Sequence, residues 1–193
     1  MDIINEYELL KEKIVERKKE AGEFLKFLET RTTWLTSPAS TKYHLSEERG
    51  LLIHSVGVTK TCLLLRELLA PEIPEESCVI TALFHDVGKI GMPWAPRYIK
   101  GETGYFYNTA QVEISIAARS LYLVATYIPL NEDEAQAILY HDGQYIEENR
   151  YVAHRETPLT LLLTFADTWT TAVNEEKRPV WRKRPLLRKE DTG

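Results

Sequence analysis

Long apolar runs are missing from this 193-residue chain. No stretch reaches the roughly 18 residues that a membrane-spanning helix requires, so no span is expected. The opening residues carry Asp2 and Glu6 in place of the basic-then-apolar order of a secretory leader, and a cytoplasmic protein is expected. Cysteine is scarce: Cys62 and Cys78 are the only two. Both fall in segments that read as buried helix, which favours reduced core thiols over a disulfide or a thiolate metal pair. A surplus of positive charge is also lacking, since 24 Lys and Arg face 29 Asp and Glu for a net charge of −5. That balance argues against a broad nucleic-acid surface, which needs clustered cations. Residues 177–189 are the local exception, basic and interrupted by proline, and read as a solvated tail. Internal repeats and low-complexity segments are absent.

What is present suits one domain. The chain is 44% hydrophobic and 27% charged, ordinary for a globular protein with a substantial core. Residues 1–176 are expected to form that domain and 177–193 the tail. Apolar positions at Ile4, Tyr7, Leu10, Ile14, Ala21, Phe24, Leu25 and Leu28 repeat with the period of one long amphipathic helix over 4–30. Further helices are expected over 50–69, ending before Pro71 and Pro74, and over 75–86. From Gly88 to Gly104 the chain is rich in breakers. Within it, 98–100 and 105–107 flank Gly101 to Gly104, the pattern of a small hairpin. Helix returns over 110–127, then from an Asn131 cap to about His141, and from Pro158 to about Val173. The expected fold is all-α: about six helices with at most one small hairpin.

One segment stands out chemically. Ala82-Leu83-Phe84-His85-Asp86-Val87-Gly88-Lys89 runs from apolar residues straight into two adjacent metal-grade ligands. Imidazole and carboxylate are the usual N and O donors for Zn, Mn and Fe. His54 lies in a similarly apolar helix among Leu51, Leu52, Val56 and Val58, and Asp167 ends the apolar run 161–166. A buried carboxylate without a partner costs several kcal/mol. Three helices thus each bring a ligand-type side chain out of a hydrophobic run, and one cation at their convergence explains all three.

These residues resemble the HD-domain metal-dependent phosphohydrolases, whose signature is a histidine, an His-Asp pair and a distant aspartate on separate helices. Here it reads His54, His85-Asp86 and Asp167, with Gly50 to Ser55 and the form His-Asp-Val-Gly-Lys as supporting flanks, covering residues 44–173. The resemblance implies that His54, His85, Asp86 and Asp167 coordinate one divalent metal (Mn, Fe, Zn, Co, Ni or Mg). It implies hydrolysis of a phosphoester, most naturally in a nucleotide, by water activated at that metal. Asp86 would orient the water and Lys89 would meet a phosphate oxygen as a point charge; a solvent-facing turn residue is the alternative for Lys89.

His141-Asp142 falls where some relatives carry paired histidines for a second metal or for substrate phosphate. No extra histidine occurs in 108–119, where binuclear relatives supply one, and Glu113 is a weak substitute. One metal is therefore expected, a second less so, with His141 as a substrate-facing acid or phosphate ligand; a helix-end histidine favoured by the dipole is the alternative. His44 is a candidate substrate-binding residue at the rim. The aromatics Trp94, Tyr98, Tyr105, Phe106 and Tyr107 read either as a wall for a base or as an ordinary packed hairpin. Two further readings stay open: a phosphodiesterase acting on a cyclic nucleotide or an RNA 3′ end, and a regulatory module without turnover. The amphipathic first helix suits a homodimer interface as well as a face packed on its own core.

Overall fold

The buried carboxylate of Glu76 organises the N-terminal end of the molecule and breaks what the sequence pattern draws as one helix. The computed structural model describes residues 2–42 and 45–175. In it the 4–30 pattern forms two helices, α1 (Ile3–Lys11) and α2 (Lys18–Arg31). Between them the N–H groups of Val15, Glu16 and Arg17 donate to Glu76 at 2.8, 2.7 and 3.1 Å. Glu76 thus satisfies the main chain of the connection just before α2, whose own N-cap, Arg17, makes no side-chain cap. Periodicity cannot report an acceptor supplied from about 60 residues away in sequence.

The remaining helices follow the expected segments closely. They are α3 (Gly50–Leu69), α4 (Glu75–Phe84), α5 (Ile116–Tyr127), α6 (Glu132–Tyr140) and α7 (Pro158–Trp169). α6 opens with a capping box between Asn131 and Glu134. α5 starts later than expected because Ser115 Oγ accepts from the Ala118 N–H and fixes the first turn there. α4 gives way at His85 to a 3₁₀ turn, Val87–Ile90. α7 runs on into a π turn, Thr170–Glu175.

Among the described residues two small antiparallel pairings occur where at most one was expected. The hairpin of β3 (Tyr98–Gly101) and β4 (Gly104–Tyr107) forms over the expected residues, with Tyr98 opposite Tyr107. A second pairing joins β1 (Gly91–Met92) to β2 (Ala95–Pro96). Strands of two residues are too short to show alternation in a sequence.

α3 is the central element, packed against both α4 and α7. Its Leu51, Leu52 and Val56 join Phe24, Trp34, Phe84 and Ile128 in the main core. On its other side Val58 and Cys62 meet Cys78, Ala82, Leu163 and Ala166. Both cysteines are free and buried, as expected. Rigid apolar packing on two sides fixes the rotation of α3, and with it the direction of His54. No helix among the described residues is long and apolar enough to cross a membrane.

Candidate metal centre

His54, His85, Asp86 and Asp167 come from α3, the end of α4, the following turn and α7, and they meet. From His54 Nε2 the distances are 3.2 Å to His85 Nε2, 3.4 Å to Asp86 Oδ2 and 3.3 Å to Asp167 Oδ1. His85 Nε2 lies 3.6 Å from Asp86 Oδ2. Donors about 2.1 Å from one ion, at angles near 90–110°, are about 3.0–3.4 Å apart. The observed spacing is that of a coordination shell's edges.

The protons point the same way. His85 Nδ1 lies 2.7 Å from the Ala82 carbonyl, which can only accept, so Nδ1 carries the proton and Nε2 offers a lone pair inward. His54 Nδ1 is 3.0 Å from a Glu175 carboxylate oxygen, which likewise leaves Nε2 facing inward. Two lone pairs at 3.2 Å repel unless a proton or a cation lies between them. This donor set fits a divalent metal, and the carboxylate behind His54 is the usual outer partner of a metal-bound imidazole.

The electrostatics are those of a site built for positive charge. Burial opposes a protonated His54, but Asp167, Asp86 and Glu175 outweigh it and hold its pKa well above the ordinary value. Burial pushes His85 down to about 4, against the pull of Asp86. Burial alone would raise the carboxyls of Asp86 and Asp167; Lys89 and the histidines reverse this for Asp86, and the histidines for Asp167, so both stay ionised. Thr171 Oγ1 donates to Asp167 Oδ1 at 3.3 Å and helps to orient it.

The second tier of residues divides. Lys89 is mostly buried and forms an ion pair with Asp86 Oδ2, so it is no solvent-facing turn residue. His141 is 2% exposed, with Nδ1 held 2.9 Å from the Ile138 carbonyl. Its Nε2 is 3.8 Å from Asp86 Oδ1 and 3.7 Å from Asp142 Oδ1. The ligand atoms of His85, Asp86 and His141 form a second cluster within 4.8 Å of one another. His141 is therefore part of the centre rather than an isolated helix end. Asp142 is half-exposed beside it, its pKa raised by burial and by the Asp86 and Asp167 charges. Glu113 is exposed. His44 lies outside the described residues, as does the 177–193 tail. His154 is exposed at positive φ, and Thr157 caps α7.

Glu175 is the residue that the sequence reading missed. It follows Asp167 by eight residues, close to two helical turns, and the π turn brings it under His54. Eight residues of regular α-helix end about 80° round from Asp167, so helical period gave no signal for it.

Against known families, a model described as HD domain matches residues 51–171. No curated protein and no solved structure matches the chain.

Proposed function

The chain belongs to the HD-domain family, and we propose that it is a metal-dependent phosphohydrolase cleaving a phosphoester of a nucleotide. The observation that carries this reading is the meeting of two imidazoles and two carboxylates with edges of 3.2–3.6 Å. When bound, a divalent ion there supplies Lewis-acid activation of water and neutralises phosphoryl charge.

The chain's own residues supply binding, orientation and proton handling. Asp86 stays ionised and turns one oxygen towards His54 and the other towards His141, so it can accept a hydrogen bond from an attacking water. Lys89 keeps its proton beside Asp86 and offers a phosphate oxygen a fixed positive charge. His141, its Nδ1 held by the Ile138 carbonyl, turns Nε2 towards the centre, where a neutral imidazole would accept a proton from water and return it to a leaving oxygen. The net charge of −5 favours a small substrate over a polymer, and the free cysteines fit a cytoplasmic setting.

A second reading, a phosphodiesterase with a second cation, is favoured by one feature: Asp86 belongs to both faces of the centre, with Oδ1 towards His141 and Oδ2 towards His54. With a second cation bound, His85, Asp86 and His141 would be the residues to hold it, and it would supply further neutralisation of phosphoryl charge.

A hydrolysis screen with products separated by anion-exchange chromatography tests both readings, using nucleoside mono- and triphosphates, cyclic nucleotides and a model ester with several divalent metals. The expected result is metal-dependent cleavage that Asp86→Ala abolishes. Cleavage of cyclic nucleotides alone, with two metals bound per chain, selects the second reading. Metal binding without turnover of any substrate points to a regulatory module and overturns both.

A further inference from the structure

Among the described residues, two arginines near the start of α5 carry polar atoms that nothing satisfies. Arg119 is 3% exposed. Its Nη2 donates to the Val112 carbonyl at 2.6 Å, while its buried Nη1 has no hydrogen-bond partner. Arg97 lies over the rings of Tyr98 and Tyr107, 5.9 and 5.2 Å from their centroids, and its buried Nε is likewise without a partner. The two charges feel each other: burial first, then the Arg97 charge, lowers the Arg119 pKa, with Glu113 offsetting part of it. Arg17 shows how this chain treats a guanidinium it means to keep neutralised. It is clamped by Glu76 at 2.8 Å and Glu134 at 2.7 Å. Arg119 makes no such ion pair among the described residues, and a buried cation without one points to a missing anion.

Beside Arg119 is a cavity of about 230 Å³, lined also by Met92, Trp94, Gln111, Ile114 and Tyr122. No residue of the metal centre lines it. Its rim leaves apolar surface in water, with Trp94 and Val112 each 79% exposed and Tyr122 58%. The walls are held together: Gln111 Nε2 donates to the Ala95 carbonyl at 2.6 Å, binding the loop before α5 to the β1–β2 turn. Gly91, at φ +73°, permits that approach, since a Cβ there would fall 2.1 Å from Gln111 Nε2.

We propose that this cavity binds a small amphipathic organic anion, a carboxylate or phosphate head on a flat apolar body. The head pairs with Arg119, which lines the cavity, with Arg97 behind it as a second charge, and the body lies between Trp94 and Tyr122. A whole nucleotide is too large, because drug-sized ligands occupy roughly 300–1,000 Å³. The site is separate from the metal centre and does not depend on the function proposed for it.

The test is calorimetric titration of the metal-loaded full chain with 2-naphthoate, its neutral counterpart 2-naphthamide, and benzylphosphonate. The acid is expected to bind with Kd of about 1 mM or tighter, and the amide at least about tenfold more weakly. Trp94→Ala and Arg119→Gln should each weaken naphthoate about tenfold or more, with metal content unchanged. Comparison of naphthoate with benzylphosphonate decides whether the head is a carboxylate or a phosphate. Equal binding of acid and amide, binding of neither acid, or naphthoate binding unaltered by Trp94→Ala overturns the proposal. So does loss of naphthoate binding in His54→Ala, which would put the anion on the metal. Should Arg119→Gln fail to fold, Arg97→Gln takes its part beside the exposed Trp94→Ala.

Discussion

The Glu175 carboxylate lies 3.0 Å from His54 Nδ1, on the ring nitrogen opposite the one that faces His85. Through that contact the last described turn of the chain sets the tautomer and angle of an imidazole in the middle of α3. Outer partners of this kind typically contribute 10–100-fold to metal affinity. Glu175→Ala is therefore expected to weaken metal binding about 10–100-fold while leaving the helical circular dichroism unchanged. Glu175→Gln, which keeps an acceptor oxygen, should lose less. Competition against a chelating dye measures both, and unchanged affinity in Glu175→Ala would remove this residue from the centre.

Metal should bind the folded chain and not the unfolded one, because its ligands come from elements as far apart in sequence as α3 and α7. At a hundred times Kd the linkage is worth about 2.7 kcal/mol. For a chain of this length that raises Tm by about 5–10 °C. His54→Ala should fold without metal and show no such shift. An equal shift in wild type and variant would mean that the ion binds elsewhere.

Gly88 is a packing requirement. A Cβ there would lie 2.3 Å from the Ile116 carbonyl oxygen and 2.9 Å from Ser120 N and Oγ, and the Gly88 N–H donates to Ser120 Oγ at 2.8 Å. The turn carrying Asp86 and Lys89 is pressed onto α5 by that contact. Gly88→Ala is expected to cost about 1–3 kcal/mol by overpacking, read as a lower urea midpoint. It should also lower phosphate release more than Gly22→Ala, since nothing lies within 4 Å of a Cβ at Gly22.

The clamp on Arg17 predicts the acid limb of the stability curve. Burial would raise the carboxyls of Glu76 and Glu134, but Arg17 and main-chain N–H groups pull both below the ordinary 4.5. Groups with depressed folded values contribute stability that is complete above pH 4.5 and is lost as pH falls through their folded values. Arg17→Met should cost about 3 kcal/mol at neutral pH by leaving two buried acids unpaired. It should also flatten the fall in stability below pH 4.5. Urea denaturation across pH 3–7 checks both; an unchanged slope in the variant would contradict the assignment.

Much of this was legible in the residues themselves. His54, His85, Asp86 and Asp167 could be picked out because each ends or interrupts an apolar helical run, where an unpartnered polar group is costly. α3, α6 and the β3–β4 hairpin follow from local signals that tertiary structure did not override: apolar period, the Asn131 cap and a glycine-bounded turn. The break between α1 and α2 was not legible, because the groups that cause it belong to Glu76 in another helix. Glu175 was hidden by the π turn, which carries the chain past the point where a regular period stops predicting direction. His141 was found as a candidate, but its nearness to Asp86 is a product of how α6 ends against α4.

Anomalous X-ray scattering from crystals of the full chain grown with Mn²⁺ tests the central claim most directly. A peak about 2.1–2.3 Å from His54 Nε2, His85 Nε2, Asp86 Oδ2 and Asp167 Oδ1 together is the predicted result. A peak that misses any one of these four atoms, or that sits away from all of them, would contradict it.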